Sequence, residues 1–356
     1  MKKVVVGLSG GVDSAVAAYL LKERRYEVIG VTMQVWQDED RCDVEDKGGC
    51  CGLSAVEDAR KAAEIIGIPH YVMNFKREFK ENVIDYFIRE YQNGRTPNPC
   101  IACNRHVKWE AFLLKSMQIG ADYIATGHYA RVVRYPDTGR FTLQTSVTAK
   151  KDQTYALYNL TQDQLSRTLT PVGDYTKEEI RAIAEKIGLN VANKPDSQEI
   201  CFIPEHDHGD FIARETSQPL PGDFVNREGK VLGRHKGLVY YTVGQRKGLG
   251  ISFGRPQYVL KLDKKKNQVV LGEDQELFTH TLLAEDVNFM GIEDLSGPVR
   301  AMGKIRYSHK PAPCVIQKKG RDIEAVFDSP QRAITPGQAA VFYDLGAYIL
   351  AGGTIV

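Results

Sequence analysis

An apolar β-branched run, Val4-Val5-Val6, breaks at Gly7-Leu8-Ser9-Gly10-Gly11 and resumes as Val12-Asp13-Ser14-Ala15-Val16-Ala17-Ala18-Tyr19-Leu20-Leu21. The first run reads as a buried parallel strand and the second as a helix. A strand, a glycine turn and a helix start make an anion site. Unbonded backbone N–H groups converge there, and the helix dipole favours negative charge. The turn ends in Asp-Ser and has no lysine, so it is not the Walker loop, which needs Gly-Lys-Ser/Thr to hold β and γ phosphates. Such a unit needs parallel neighbours, which commits this end of the chain to an α/β sheet.

The first 200 residues as a whole agree. Val4–Leu8, Glu27–Met33, His70–Asn74 and Tyr123–Thr126 read as strands. Ser14–Arg24, Ser54–Ile66, Glu78–Tyr91, Lys108–Met117 and Thr176–Ile187 read as helices. Thr176 followed by Glu179 forms a capping box, and Gly188 is a suitable stop. The alternation predicts a doubly wound parallel sheet with ligands at the C-terminal ends of its strands. Past Glu205 the texture changes to short strands and glycine turns, predicting a small β-rich domain and then a β-barrel. The expected domains are residues 1–205, 206–277 and 278–356, in line with a length of 356 residues.

No apolar run is long enough for a signal peptide or a membrane span, so a cytoplasmic protein without membrane association is expected. The net charge of +2 is uninformative, but its distribution is not. Residues 229–262 and 299–321 contain no acid and hold fourteen Lys and Arg side chains, with Tyr240, Tyr241 and Tyr307 among them. This suits RNA backbone contact and base stacking, or a plain solvated basic face.

Three elements carry chemistry. In the first loop the glycines admit phosphates, Ser9 and Ser14 donate hydroxyls, and Asp13 is a candidate Mg²⁺ holder; Met33 and Gly127, at two other strand ends, are candidates for adenine and ribose or phosphate contact. The second element is Thr96-Pro97-Asn98-Pro99-Cys100-Ile101-Ala102-Cys103-Asn104. Its prolines argue against a helix, Asn104 is placed to cap one beginning near His106, and Cys103 then lies at a helix N-terminus beside Arg105, His106 and Lys108, where a thiolate is favoured. The third is Cys201, in Asp196-Ser197-Gln198-Glu199-Ile200-Cys201-Phe202-Ile203. It reads as a partner thiol or as a cysteine buried among apolar neighbours. Seven cysteines, an odd number, argue against a disulfide framework. Cys42, Cys50 and Cys51 sit in a glycine- and charge-rich loop suited to metal or a partner, Cys314 reads as inert, and His128 as a structural hydrogen-bonding residue.

The loop Ser9–Ser14 resembles the PP-loop of the ATP pyrophosphatases (adenine nucleotide α-hydrolase-like), which split ATP between the α and β phosphates and leave AMP on a substrate oxygen. The whole chain resembles the tRNA-specific 2-thiouridylases (MnmA/TrmU family). The motifs are GLSGGVDS at 7–14, TPNPCIACN at 96–104, ATGHYAR at 125–131, KDQTY at 151–155, DSQEICFI at 196–203, VGQRKGLGI at 243–251 and KIRYSH at 304–309. The resemblance implies ATP binding by Gly7, Leu8, Ser9, Gly10, Gly11, Val12, Asp13, Ser14, Met33 and Gly127. It implies that Asn98, Pro99 and Cys100 face the target base, that Cys103 is the nucleophile forming a disulfide, and that Cys201 carries the persulfide. Lys151, Asp152, Gln153, Arg306 and Tyr307 are implied to contact tRNA. The implied substrate is the wobble uridine, position 34 in tRNA numbering, in the anticodon loop of Lys, Glu and Gln tRNAs. Its C2 oxygen is adenylated with ATP and Mg²⁺ and replaced by sulfur from a persulfide donor protein.

Some members of that family carry Asp where this chain has Cys100. With Cys103 and Cys201 it makes three thiolates, enough for a [4Fe–4S] cluster with one open iron, so a persulfide relay and a cluster both stand at this level. Another adenylating PP-loop enzyme leaves the cysteines and the basic β domains unused. A non-catalytic metal- or redox-sensing RNA-binding protein is the reading from a different class.

Overall fold

In a computed structural model, residues 1–35, 53–189, 200–203, 207–251 and 254–356 are described. The region holding Cys42, Cys50 and Cys51, and positions 196–199 of the Cys201 motif, lie outside them. The first seven strands are β1 (Lys3–Gly7), β2 (Glu27–Gln34), β3 (His70–Asn74), β4 (Tyr123–Ala125), β5 (Ala130–Arg134), β6 (Phe141–Thr145) and β7 (Thr168–Leu169). Five of them make a sheet in the order β3-β2-β1-β4-β7, and every pairing in it is parallel. The doubly wound expectation holds, and the physical reason is visible in β1. Val4, Val5 and Val6 are all fully buried, with Val4 and Val6 in the core on one face and Val5 in the core on the other. A strand buried on both faces is a continuous apolar run, as parallel sheets require.

Strand order reverses between β1 and β4, so the connections leaving these two strands diverge and open a crevice. Helix α1 (Val12–Glu23) follows β1, with an alanine-rich buried face that lets it lie close to the sheet. Strands β5 and β6 form an antiparallel hairpin, in a stretch to which the sequence pattern assigns no strand.

The middle unit is a four-stranded sheet in the order Tyr258–Asp263, Gln268–Gly272, Gly222–Val225, Val231–His235. The C-terminal unit is a closed six-stranded antiparallel barrel. The barrel is joined to the first unit by buried groups. Tyr155 Oη donates to the Ala339 carbonyl (2.9 Å), Thr142 Oγ1 to that of Ile349 (2.7 Å), and Tyr158 occupies the space a side chain at Gly352 would need. Among the described residues no helix is long and apolar enough to cross a membrane.

Candidate active site

The loop after β1 is built for close backbone approach. Gly10 has a left-handed φ of +74°, and a Cβ on it would lie 2.4 Å from the Ala55 carbonyl oxygen. Gly11 is the extended N-cap of α1 and leaves the cap without a side-chain partner. Ser14 Oγ donates to the Gly11 carbonyl (3.1 Å), accepts from the Ser9 N–H (3.1 Å), and lies 3.2 Å from the exposed Ser9 hydroxyl. Leu8 and Val12 are buried anchors on either side. The Leu8 N–H donates to the Val31 carbonyl, and its own carbonyl accepts from Thr32 Oγ1 (2.9 Å), which also meets His70 Nε2 (2.8 Å).

Two strand ends close on this loop. Met33 Cε lies 3.2 Å from where a Cβ on Gly7 would be, and a Cβ on Gly127 would lie 2.6 Å from the Ser14 nitrogen and 2.7 Å from the Asp13 carbonyl carbon. The structure therefore brings Gly7–Ser14, Met33 and Gly127 to one crevice. His128 packs on Trp109 (ring centroids 5.4 Å) and its Nδ1 meets Thr126 Oγ1 at 2.7 Å; burial holds its pKa well below the ordinary histidine value, so it is neutral.

Asp13, the candidate Mg²⁺ holder, is tied to protein donors. Its two carboxylate oxygens each accept from Lys177 Nζ at 2.8 Å, and Oδ1 also accepts from Tyr129 Oη at 2.7 Å. As placed, the Asp13 carboxylate is engaged by three protein hydrogen bonds, two of them from a lysine ammonium. Lys177 and Tyr129 were missed by sequence reasoning. Lys177 lies 164 residues from its partner and follows an ordinary helix cap.

The cysteine segment corrects one sequence reading. A helix begins at Pro99, not near His106, and Asn98 caps it by accepting from the N–H groups of Cys100 (3.0 Å) and Ile101 (3.3 Å). Proline is favoured at the first helical position, where the missing N–H would have no intrahelical partner anyway. The exposed Cys100 therefore occupies the first turn and the half-buried Cys103 follows at the start of a wider-wound stretch, Cys103–Phe112. Asn104 is no cap. It is buried, donates to the Ala156 carbonyl (2.9 Å) and accepts from Lys108 (2.9 Å).

The preceding residues are held by both β units. The Thr96 N–H donates to the Pro336 carbonyl (2.8 Å), the Thr96 carbonyl accepts from Gln338 Nε2 (2.8 Å), and its hydroxyl meets that of Thr242 (3.4 Å). The Arg95 guanidinium donates twice to Glu285 Oε1, at 2.9 Å each.

Cys201 is exposed, which removes the reading of a buried inert thiol. Its neighbour Phe202 is 2% exposed and packs edge-on against Phe79 (5.7 Å) and Phe87 (5.4 Å), with Phe211 tilted at 5.4 Å. The Ile203 N–H donates back to the Ile200 carbonyl, making a tight turn at the cysteine. Phe202→Ala is expected to cost about 3–5 kcal/mol of folding stability, the range for emptying a buried aromatic site; denaturant unfolding measures it. Among the described residues no three His, Cys, Asp or Glu side chains group as a metal would require, so Cys100, Cys103 and Cys201 as placed do not fit a [4Fe–4S] cluster.

The residues expected at tRNA divide into two sets. Asp152 faces inward: buried, it accepts from the Ser146 N–H (3.1 Å) and Thr154 Oγ1 (2.7 Å), and burial raises its pKa. Gln153 Oε1 likewise accepts from the Tyr129 N–H (2.8 Å), while Lys151 is partly exposed. Asp152 and Gln153 thus organise the loop in this arrangement. Tyr307 is 45% exposed and lies close enough to Cys100 and Asp152 for their charges to add to the upward push that burial gives its phenol. Lys304 Nζ sits 5.5 Å from its ring and 5.6 Å from that of Tyr155. Arg306 Nη1 donates to the Arg332 carbonyl (3.1 Å). Tyr307 also meets Tyr155 edge-on, with ring centroids 6.2 Å apart.

Comparison with known proteins agrees with this architecture. Residues 2–205 match the profile of the tRNA methyl transferase HUP domain, residues 209–273 that of the tRNA methyl transferase PRC-barrel domain, and residues 279–355 that of the aminomethyltransferase β-barrel domain. The class is thus a HUP domain carrying two appended β units. The chain is 62% identical over 358 residues to the tRNA-specific 2-thiouridylase MnmA of Lachnoclostridium phytofermentans, covering all of both proteins. It is 56% identical to the protein of that name from Clostridioides difficile, over 99% of this chain and 98% of the other, and 54% identical to that of Acetivibrio thermocellus, over 99% of each. The chain belongs to the tRNA-specific 2-thiouridylase family.

Proposed function

We propose that the protein replaces the C2 oxygen of the wobble uridine with sulfur in the tRNAs for Lys, Glu and Gln, using ATP and a persulfide delivered by a donor protein. The observation that carries this reading is the scaffold shared by the nucleotide crevice and the thiols. Tyr129 binds Asp13 through its hydroxyl and Gln153 through its backbone; a few residues on, Ala156 binds Asn104, the neighbour of Cys103.

The uridine C2 oxygen attacks the α phosphorus of ATP held at Gly7–Ser14, Met33 and Gly127, pyrophosphate leaves, and N3 gives up its proton. The terminal sulfur of a Cys201 persulfide then adds to C2, and AMP departs with the C2 oxygen. The Cys103 thiolate attacks the Cys201 sulfur, breaks the S–S bond and forms the Cys103–Cys201 disulfide. The electron pair of that bond becomes the C2 thiocarbonyl as N3 regains a proton. A thiol reductant restores both cysteines for the next cycle. Asn98, Pro99 and Cys100, beside Tyr307, receive the base; Lys151 and Arg306 meet the RNA backbone. An anticodon-loop base is already partly unstacked, so its extrusion costs at most a few kcal/mol.

Incubation with ATP, the cognate tRNAs and a persulfide donor is expected to exchange one oxygen for one sulfur in the anticodon loop, read by mass spectrometry of nuclease fragments. A modification elsewhere in the tRNA, or none, overturns the assignment.

A further inference from the structure

We infer that Lys177 is a positioning residue for the loop Ser9–Ser14, acting through Asp13; the inference rests on the adenylation half of the reading above. Lys177 is 5% exposed. It opens the helix Lys177–Lys186, whose start is fixed by a complete capping box: Thr176 Oγ1 accepts from the Glu179 N–H, and Glu179 accepts from the Thr176 N–H (2.7 Å). From there its ammonium donates to both oxygens of Asp13, and the Tyr129 hydroxyl adds a third donor to the same carboxylate.

Stability alone gives no reason for this arrangement. Taking an ammonium out of water is costly, and a well-packed apolar side chain at such a position is often neutral or stabilising. Asp13, in the first turn of α1, is already favoured by the helix dipole. What the pair does is fix a place. Asp13 directly follows Gly11 and Val12, and its own carbonyl carbon and the Ser14 nitrogen form the surface against which Gly127 is pressed. Backbone approach that close holds only if the loop cannot slide; Leu8 and Val12 anchor its two ends, but Gly10 and Gly11 between them have no side chains to hold them. Lys177 and Tyr129 together pin the single charged residue of the loop, both donating to Asp13 Oδ1. The phosphate-facing N–H groups are thereby set before ATP arrives, which is the condition for electrostatic preorganisation.

The test is tRNA-dependent pyrophosphate release by Lys177→Met, Tyr129→Phe and the double variant, with kcat and the KM for ATP measured separately and rates normalised to folded protein from thermal unfolding. Lys177→Met is expected to lower kcat about 10- to 100-fold, the span of one charge-assisted hydrogen bond lost from the hold on the loop. The KM for ATP is expected to change far less, and the smaller loss in Tyr129→Phe is expected to vanish in the Lys177→Met background. A wild-type kcat per folded molecule in Lys177→Met overturns the inference. If that variant does not fold, an unchanged kcat in Tyr129→Phe does the same. Sulfur content of the tRNA is read in parallel. Pyrophosphate release that depends on Lys177 without sulfur insertion sinks the functional reading and leaves the positioning role standing. A wild-type enzyme that releases no pyrophosphate removes both.

Discussion

Cys201→Ser is expected to leave tRNA without sulfur while ATP still binds. A hydroxyl cannot carry a sulfane sulfur, so the loss is expected to be on the order of 10³–10⁶-fold, as when a nucleophile is removed outright. The fold should not notice. Cys201 is exposed, and the turn that presents it is held by Phe202 in its aromatic pocket and by the Ile203-to-Ile200 hydrogen bond. The stability change is expected to stay within about 0.5 kcal/mol. Calorimetry with ATP and mass spectrometry of the tRNA make the separation directly. Cys103→Ser should differ in kind: sulfur reaches C2, but nothing breaks the bond to Cys201, so the tRNA remains covalently attached to the enzyme and is released by added thiol. Normal thiolation by either variant would sink the assignment of the two roles.

Gly127→Ala is expected to weaken ATP binding by about 10- to 100-fold, equivalent to 1.4–2.8 kcal/mol. The added methyl would lie 2.6 Å from the Ser14 nitrogen and 2.7 Å from the Asp13 carbonyl carbon. Both are backbone atoms at the start of α1, so no side-chain rotation relieves the overlap. Either the connection after β4 or the loop itself must move, and each carries part of the crevice. Overpacking of this kind also costs about 1–3 kcal/mol of stability. Gly297→Ala is the matched control: its Cβ meets nothing within 4 Å. Calorimetric titration of both variants with ATP decides the point, and equal affinities would mean that the close approach at 127 has no part in nucleotide binding.

What could be read from the chain was what local pattern encodes. Val4-Val5-Val6 specified a strand buried on both faces, Gly10-Gly11 the turn, and Thr176 with Glu179 the helix start, because each depends on neighbours within a few residues. The cysteine helix was misjudged for a related reason. Pro97 and Pro99 were weighed as helix breakers, although proline at the first helical position, behind an Asn cap, opens a helix. The β5–β6 hairpin was missed although Asp137-Thr138-Gly139 sits at its turn. Lys177 lay beyond local reasoning, since nothing near it in sequence announces a carboxylate 164 residues away. The inward face of Asp152 was hidden similarly: a charged residue in a polar motif reads as a surface contact until its Ser146 and Thr154 partners are known.

The hold on Thr96 has a consequence for how the enzyme is made. Its partner Gln338 lies 242 residues further along the chain. At about 5–20 residues per second, a ribosome needs roughly 10–50 s to travel from one to the other. Gly127, Tyr129 and Lys177, which close on the Ser9–Ser14 loop, are also made within that interval, ahead of Gln338. Thr96 is therefore among the last residues of the first unit to be fastened, and a chain ending before Gln338 is expected to leave the segment that carries Cys100 and Cys103 without that hold.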